Sequence, residues 1–180
     1  MVALARAMAG DYPARPAIVI SNVPNAGGLA RAQELGIPTE TVDHQEFDNR
    51  ADFETELHSR LLAADADFVC LAGFMRVLTE GFVAKWSGRM LNIHPSLLPK
   101  YPGLNTHARA LAGGDKQAGC TVHWVTAGLD SGPIIDQARV EIHPDDTAQT
   151  LAARVLTQEH LLYPAALRSA LDGLPDQHLP

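Results

Sequence analysis

Residues 16–22 (Pro-Ala-Ile-Val-Ile-Ser-Asn) form an apolar run that closes on polar turn formers, and residues 68–73 (Phe-Val-Cys-Leu-Ala-Gly) repeat the pattern. Continuous apolar runs of this kind predict strands buried on both faces. Between them, Phe53, Leu57 and Leu61 recur at every fourth position among charged residues, which predicts an amphipathic helix over 50–64. A shorter helix fits 28–35, ahead of Gly36-Ile37-Pro38. Strand and helix alternate through the first half, so the predicted class is α/β, a mostly parallel sheet covered by helices.

The second half changes character. Residues 90–93 predict one more buried strand, while 119–125 and 134–142 predict a pair, antiparallel by its spacing, joined by a loop holding Gly and Asp. Residues 146–171 carry Leu151, Val155, Leu162 and Leu167 on a helical stretch, which Pro164 is expected to interrupt or end. Residues 1–10 read directly as a helix closed by Gly10, with no strand before it. Doubly wound sheets usually open with a strand and a Gly-rich turn whose amides bind phosphate. No repeat, low-complexity tract or linker divides the chain, so 1–180 reads as a single domain.

Charge narrows the range of partners. The 14 Lys and Arg stand against 21 Asp and Glu, for a formal charge of -7 and a pI near 5.5, which argues against an electrostatic grip on a nucleic-acid backbone. Cys70 and Cys120 lie in apolar surroundings and form no C-x-x-C, which predicts two reduced core thiols rather than a disulfide or zinc site. No apolar run approaches bilayer length and no signal layout opens the chain, so a soluble cytoplasmic protein is expected.

The densest chemical signal is Asn92-Ile93-His94-Pro95-Ser96-Leu97-Leu98-Pro99-Lys100-Tyr101-Pro102-Gly103-Leu104. On a strand, Asn92 and His94 share one side while Ile93 faces the core, and Pro95 ends the strand where ligands of such sheets commonly bind. An amide beside an imidazole suits acyl transfer to an amine. Asn92 could donate to the oxyanion and His94 could move protons. Asp130, in Gly128-Leu129-Asp130-Ser131-Gly132-Pro133, lies on a glycine-flanked loop from which a carboxylate can orient an imidazole. His107 reads as structural, following Asn105 and Thr106, which can cap a helix ending at Gly113-Gly114. His123 and His143 show no metal spacing, and no metal is expected.

The stretch from Asn92 to Leu104, continued by Asn105-Thr106-His107, closely resembles the phosphoribosylglycinamide formyltransferases, folate-dependent enzymes of purine biosynthesis. The likeness extends through Leu71-Ala72-Gly73-Phe74-Met75-Arg76-Val77-Leu78, Leu129 to Ile135 and Thr157-Gln158-Glu159-His160, nearly the whole chain. It implies a Rossmann-like formyltransferase fold in which Asn92, His94 and Asp130 are catalytic. 10-Formyltetrahydrofolate would be the co-substrate and glycinamide ribonucleotide the acceptor. It also implies folate contacts at Arg50, Met75, Arg76, Val77, Leu78 and Asn92, with Thr126, Ala127, Gly128, Leu129 and Asp130 closing over the pterin. Ile93, His94 and Pro95 would meet the ribonucleotide, with Glu159 facing its amine end. Small-molecule substrates are the only implied partners, and monomer and homodimer both remain open.

One part of that family's pattern is missing. The family begins with a strand and a Gly-Ser-Asn loop that holds the substrate phosphate, whereas this sequence begins at the helix that follows. The expectation is a native product longer by roughly 10 to 20 residues, enough for a strand and a turn. A stop codon directly upstream of Met1 would refute it. The rival readings are a formyltetrahydrofolate hydrolase, or the formyl-transfer domain acting on methionyl-tRNA. Both usually carry further domains, and the acidic charge disfavours tRNA. A non-catalytic folate- or nucleotide-binding module is the rival of another class.

Overall fold

The apolar runs at 16–22 and 68–73 become strands only over their central residues. In the computed structural model, which describes residues 1–174, β1 (Val19–Ser21) pairs in parallel with β2 (Thr39–Thr41) across α2 (Gly27–Glu34). In the same way β3 (Val69–Leu71) pairs in parallel with β4 (Met90–His94) across α4 (Glu80–Lys85). Helix-joined parallel pairs are what strand–helix alternation predicts. β4 then pairs antiparallel with β5 (Gln117–Trp124), and β5 antiparallel with β6 (Ile134–Glu141). The strands form two sheets, β1-β2 and β3-β4-β5-β6, flanked by α1 (Val2–Ala7), α3 (Arg50–Ala63), α5 (Thr106–Ala112) and α6 (Ala148–Asp172).

Alternate residues of β4 feed opposite layers. Met90 joins Phe82, Val83, Trp86 and Leu61 under α3 and α4, and Leu91 joins Cys120, Val122, Leu151 and Val155 under α6. The Tyr163 hydroxyl on α6 donates to the carbonyls of Leu71 (2.9 Å) and Leu91 (3.2 Å), tying the ends of β3 and β4 just before Asn92. Among the described residues, no helix is long and apolar enough to cross a membrane.

Three expectations are corrected. β1 and β3 are half-buried rather than buried on both faces, because each has a hydrogen-bonded neighbour on one side only and borders a cleft of about 920 Å³. α6 runs unbroken through Pro164. An interior proline costs about 3 kcal/mol, but burying each large apolar side chain returns about 1.5–3 kcal/mol, and Leu162, Tyr163 and Leu167 are all buried beside it. Asn105 occupies the N-cap of α5 without a side-chain cap bond. Such a bond needs extended backbone, and Asn105 has φ 57°.

Glu54 on α3 is almost fully buried. It accepts from the Thr79 amide at 2.8 Å and from the Thr79 hydroxyl, fixing the residue that caps α4. Glu54→Ala leaves two buried donors unpaired and is expected to destabilise the fold by about 1–3 kcal/mol. The midpoint of urea unfolding measures this, and an unchanged midpoint would mean that water replaces the carboxylate without cost.

Candidate active site

β4 delivers Asn92 and His94 to the same face at its carboxyl end, where Pro95 stops the ladder. The segment that follows folds back over the strand. Thr121 of β5, fully buried, donates its hydroxyl proton to the Ser96 carbonyl at 2.7 Å and accepts from the Leu98 amide at 3.1 Å and from Gln137 Nε2 at 2.9 Å. Ser96 in turn donates to the Lys100 carbonyl at 2.6 Å. Tyr101, Gly103 and Asn105 all hold positive φ, between 55° and 76°, and Asp130 opposite them has φ 47°. So many left-handed residues in two facing loops persist only where surrounding contacts enforce them, as at binding sites.

The contacts converge on His94, which is 6% exposed. His94 Nε2 donates to the Tyr101 carbonyl at 2.9 Å, and Nδ1 stands 3.3 Å from Asp130 Oδ2. The same Asp130 oxygen accepts from the Gly103 amide at 2.8 Å, so the carboxylate bridges the two loops. The three residues singled out in the sequence thus come together at one place.

A fourth residue, which sequence reasoning set aside for want of metal spacing, belongs with them. His123 is buried on β5 and is register partner of Asn92. Its Nδ1 donates to the Trp124 carbonyl at 2.9 Å, which leaves Nε2 to accept from the Asn92 amide at 3.3 Å and stand 3.7 Å from Asp130 Oδ1. Burial pulls the His123 imidazole below its ordinary range. The Trp124 carbonyl and Asp130 pull it up, and His94 adds to the lowering. A neutral ring with its proton on Nδ1 meets every contact, and it orients Asn92. Only strand pairing brings His123 here; the alternation of 119–125 was the one signal that pointed inward.

The outer residues divide. Met75 is 73% exposed and Val77 48%, so neither belongs to the core, whereas Leu78 is buried beneath them. Arg76 is half-buried with its guanidinium 5.8 Å from the Phe53 ring centre, and its Nε has no partner. Arg50 is exposed at the first position of α3. Thr126, Ala127, Gly128 and Leu129 form an exposed rim running into Asp130, and a Cβ on Gly103 would lie 3.6 Å from Leu129 Cδ2. Ile93 packs against the α6 core, and Pro95 is half-buried beside His94. Glu159 is half-buried on α6, its carboxyl pushed up by burial and pulled down by the Met1 ammonium. No hydrogen bond or ion pair joins Glu159 to Asn92, His94 or Asp130 among the described residues. His107 is half-buried with Nε2 unpartnered, and burial, with His94 nearby, lowers its imidazole. No group of three His, Cys, Asp or Glu is placed to hold a metal ion among the described residues.

A strand-end amide and an imidazole–carboxylate pair, under a rim of exposed apolar side chains, form a site for acyl-type transfer. Residues 3–167 match the Formyl transferase family, and the chain belongs to it. Within that family the likeness runs to one kind of enzyme. Phosphoribosylglycinamide formyltransferase of Escherichia coli strain K12 is 48% identical over 160 residues, 89% of this chain and 76% of that protein. The crystal structure of phosphoribosylglycinamide formyltransferase from Brucella melitensis superposes with a TM-score of 0.91 at 48% identity, covering 97% of this chain and 91% of that one. The trifunctional purine biosynthetic protein adenosine-3 of Drosophila melanogaster is 50% identical over 156 residues, 87% of this chain but only 12% of that protein.

Proposed function

We propose that this chain transfers the formyl group of 10-formyltetrahydrofolate to the primary amine of glycinamide ribonucleotide, a step of purine synthesis in the cytoplasm. The observation that carries the mechanism is Asp130, which engages His94 Nδ1 and the Gly103 amide while Asn92 lies two residues away on the same strand face.

The acceptor amine attacks the formyl carbon, forming the new C–N bond, and the carbonyl oxygen takes up negative charge. Asn92, with its amide held by His123, donates to that oxyanion. His94 Nε2 is taken by the Tyr101 carbonyl, so the proton His94 exchanges is the one on Nδ1, beside Asp130. Asp130 orients the ring and offsets the imidazolium charge as the attacking amine is deprotonated. Collapse of the tetrahedral intermediate breaks the bond to the folate nitrogen, which receives the proton. The residues around the pair suit a flat, partly apolar carrier. Leu104 and Leu129 are large apolar side chains more than half exposed near Gly103, and Met75 and Val77 add a second exposed patch. We assign the folate to Met75–Leu78 and the loop 126–130, with Arg50 and Arg76 as cationic contacts and Glu159 toward the ribonucleotide amine.

The test is formyl transfer by the purified chain, followed by the absorbance change of the folate donor as it loses the group. Formate release without an amine acceptor would indicate a hydrolase instead, and calorimetric folate binding without turnover would indicate a binding module. Within the proposed mechanism, Asn92→Ala is expected to lower kcat by about 10²–10³-fold, the usual cost of one oxyanion donor. A kcat within a factor of two of the parent would remove Asn92 from that role.

A further inference from the structure

The cleft between the two sheets has the shape of a missing strand. Its opposite sides are the edges of β1 and β3, and helices close both faces, with α1 and α6 contributing Leu4 and Leu167 and α3 contributing Leu57. The backbone gives the stronger argument. Val19 donates to the Pro38 carbonyl and Ser21 accepts from the Val42 amide, so both face β2. In a parallel ladder the intervening residue turns its N–H and C=O to the opposite side, which for Ile20 is the cleft. Likewise Val69 donates to the Arg89 carbonyl and pairs with Met90, while Leu71 pairs with Asn92, which turns the Cys70 N–H and C=O to the cleft from the other bank. Two donors and two acceptors therefore look across a largely apolar space, an arrangement a folded chain pairs rather than leaves open.

We propose that this slot holds an extended apolar segment of the same polypeptide, N-terminal to Met1, whose backbone pairs with Ile20 and Cys70 and joins the two sheets into one. Length and composition follow from the slot. A strand of about 5 residues fills it, and because helices cover both faces its side chains are apolar on both, with Val and Ile favoured. An occupant covalently joined through Met1 is favoured because Met1 and Leu4 of α1 themselves line the cleft. The Met1 ammonium is partly buried there and lowered by that burial, a cost that a continuing peptide bond removes. The inference is independent of the assignment of substrate.

Hydrogen exchange of single amides tests it without reference to activity. The 180-residue chain is compared with the same chain preceded by its own in-frame upstream codons. In the longer protein the Ile20 and Cys70 amides are expected to exchange at least about 100-fold more slowly, while Val122, already inside the β5 ladder, exchanges as before. The apparent melting temperature rises with them. Equal exchange at Ile20 and Cys70 in both proteins, or a stop codon immediately before Met1, overturns the proposal. So does protection of those amides in the 180-residue chain that appears only with dimerisation, since a second copy would then be the occupant.

Discussion

His94→Ala is expected to lower kcat for formyl transfer by about 10²–10⁴-fold, the range over which a positioned general acid–base group accelerates such steps. The loss is large because neither flanking histidine can stand in. His123 has its Nδ1 proton committed to the Trp124 carbonyl and its Nε2 to Asn92, and His107 makes no contact with Asp130. Removing the ring also deprives the Tyr101 carbonyl of its donor. A stability cost of about 1–3 kcal/mol should therefore accompany the kinetic one. Steady-state rates at saturating substrate, beside a urea unfolding curve, separate the two effects. A folded His94→Ala protein turning over at the parent rate would end the mechanism proposed above.

Gly132→Ala should damage both stability and turnover. A Cβ at Gly132 would lie 1.8 Å from the Trp124 carbonyl oxygen, 2.9 Å from its carbon and 3.2 Å from Thr126 Cγ2. The first two are backbone atoms at the base of the loop, where Trp124 donates to the Pro133 carbonyl at 2.9 Å, so no side-chain rotation relieves the clash. The strands must part there, which sets the expected destabilisation at about 3 kcal/mol. Asp130 is two residues away, and a shift of about 1 Å in a group that orients a catalytic base costs roughly 100-fold in rate. Gly128→Ala is the internal control. Its added Cβ would meet only the Ser131 side chain, at 2.2 Å to Oγ, and a serine can rotate away. Equal unfolding midpoints for Gly132→Ala and the parent would show that the loop base yields and that Gly132 does not hold Asp130.

Both predictions depend on contacts that join residues far apart in the chain. Asp130 reaches His94 and Gly103 across a loop, and Gly132 is confined by the carbonyl of Trp124 on β5. The same is true of the cleft. Each of its banks is a run whose apolar character predicts a strand with neighbours on both sides, and in each case the second neighbour is lacking among the described residues.

By itself the sequence determined what depends on near neighbours along the chain. Fourfold spacing of Phe53, Leu57 and Leu61 marked α3, and the alternation of short apolar runs with helices marked the parallel pairs. Strand alternation in Asn92-Ile93-His94 put the amide and imidazole on one face, where the structure has them. Tertiary structure decided what depends on packing between distant segments. Pro164 continues α6 because apolar burial on either side outweighs the lost backbone bond, and Met75 and Val77 are exposed rather than core although their composition reads as core. His123 joins the site only because β5 pairs antiparallel with β4 and sets it opposite Asn92, a register that no local pattern around residue 123 encodes.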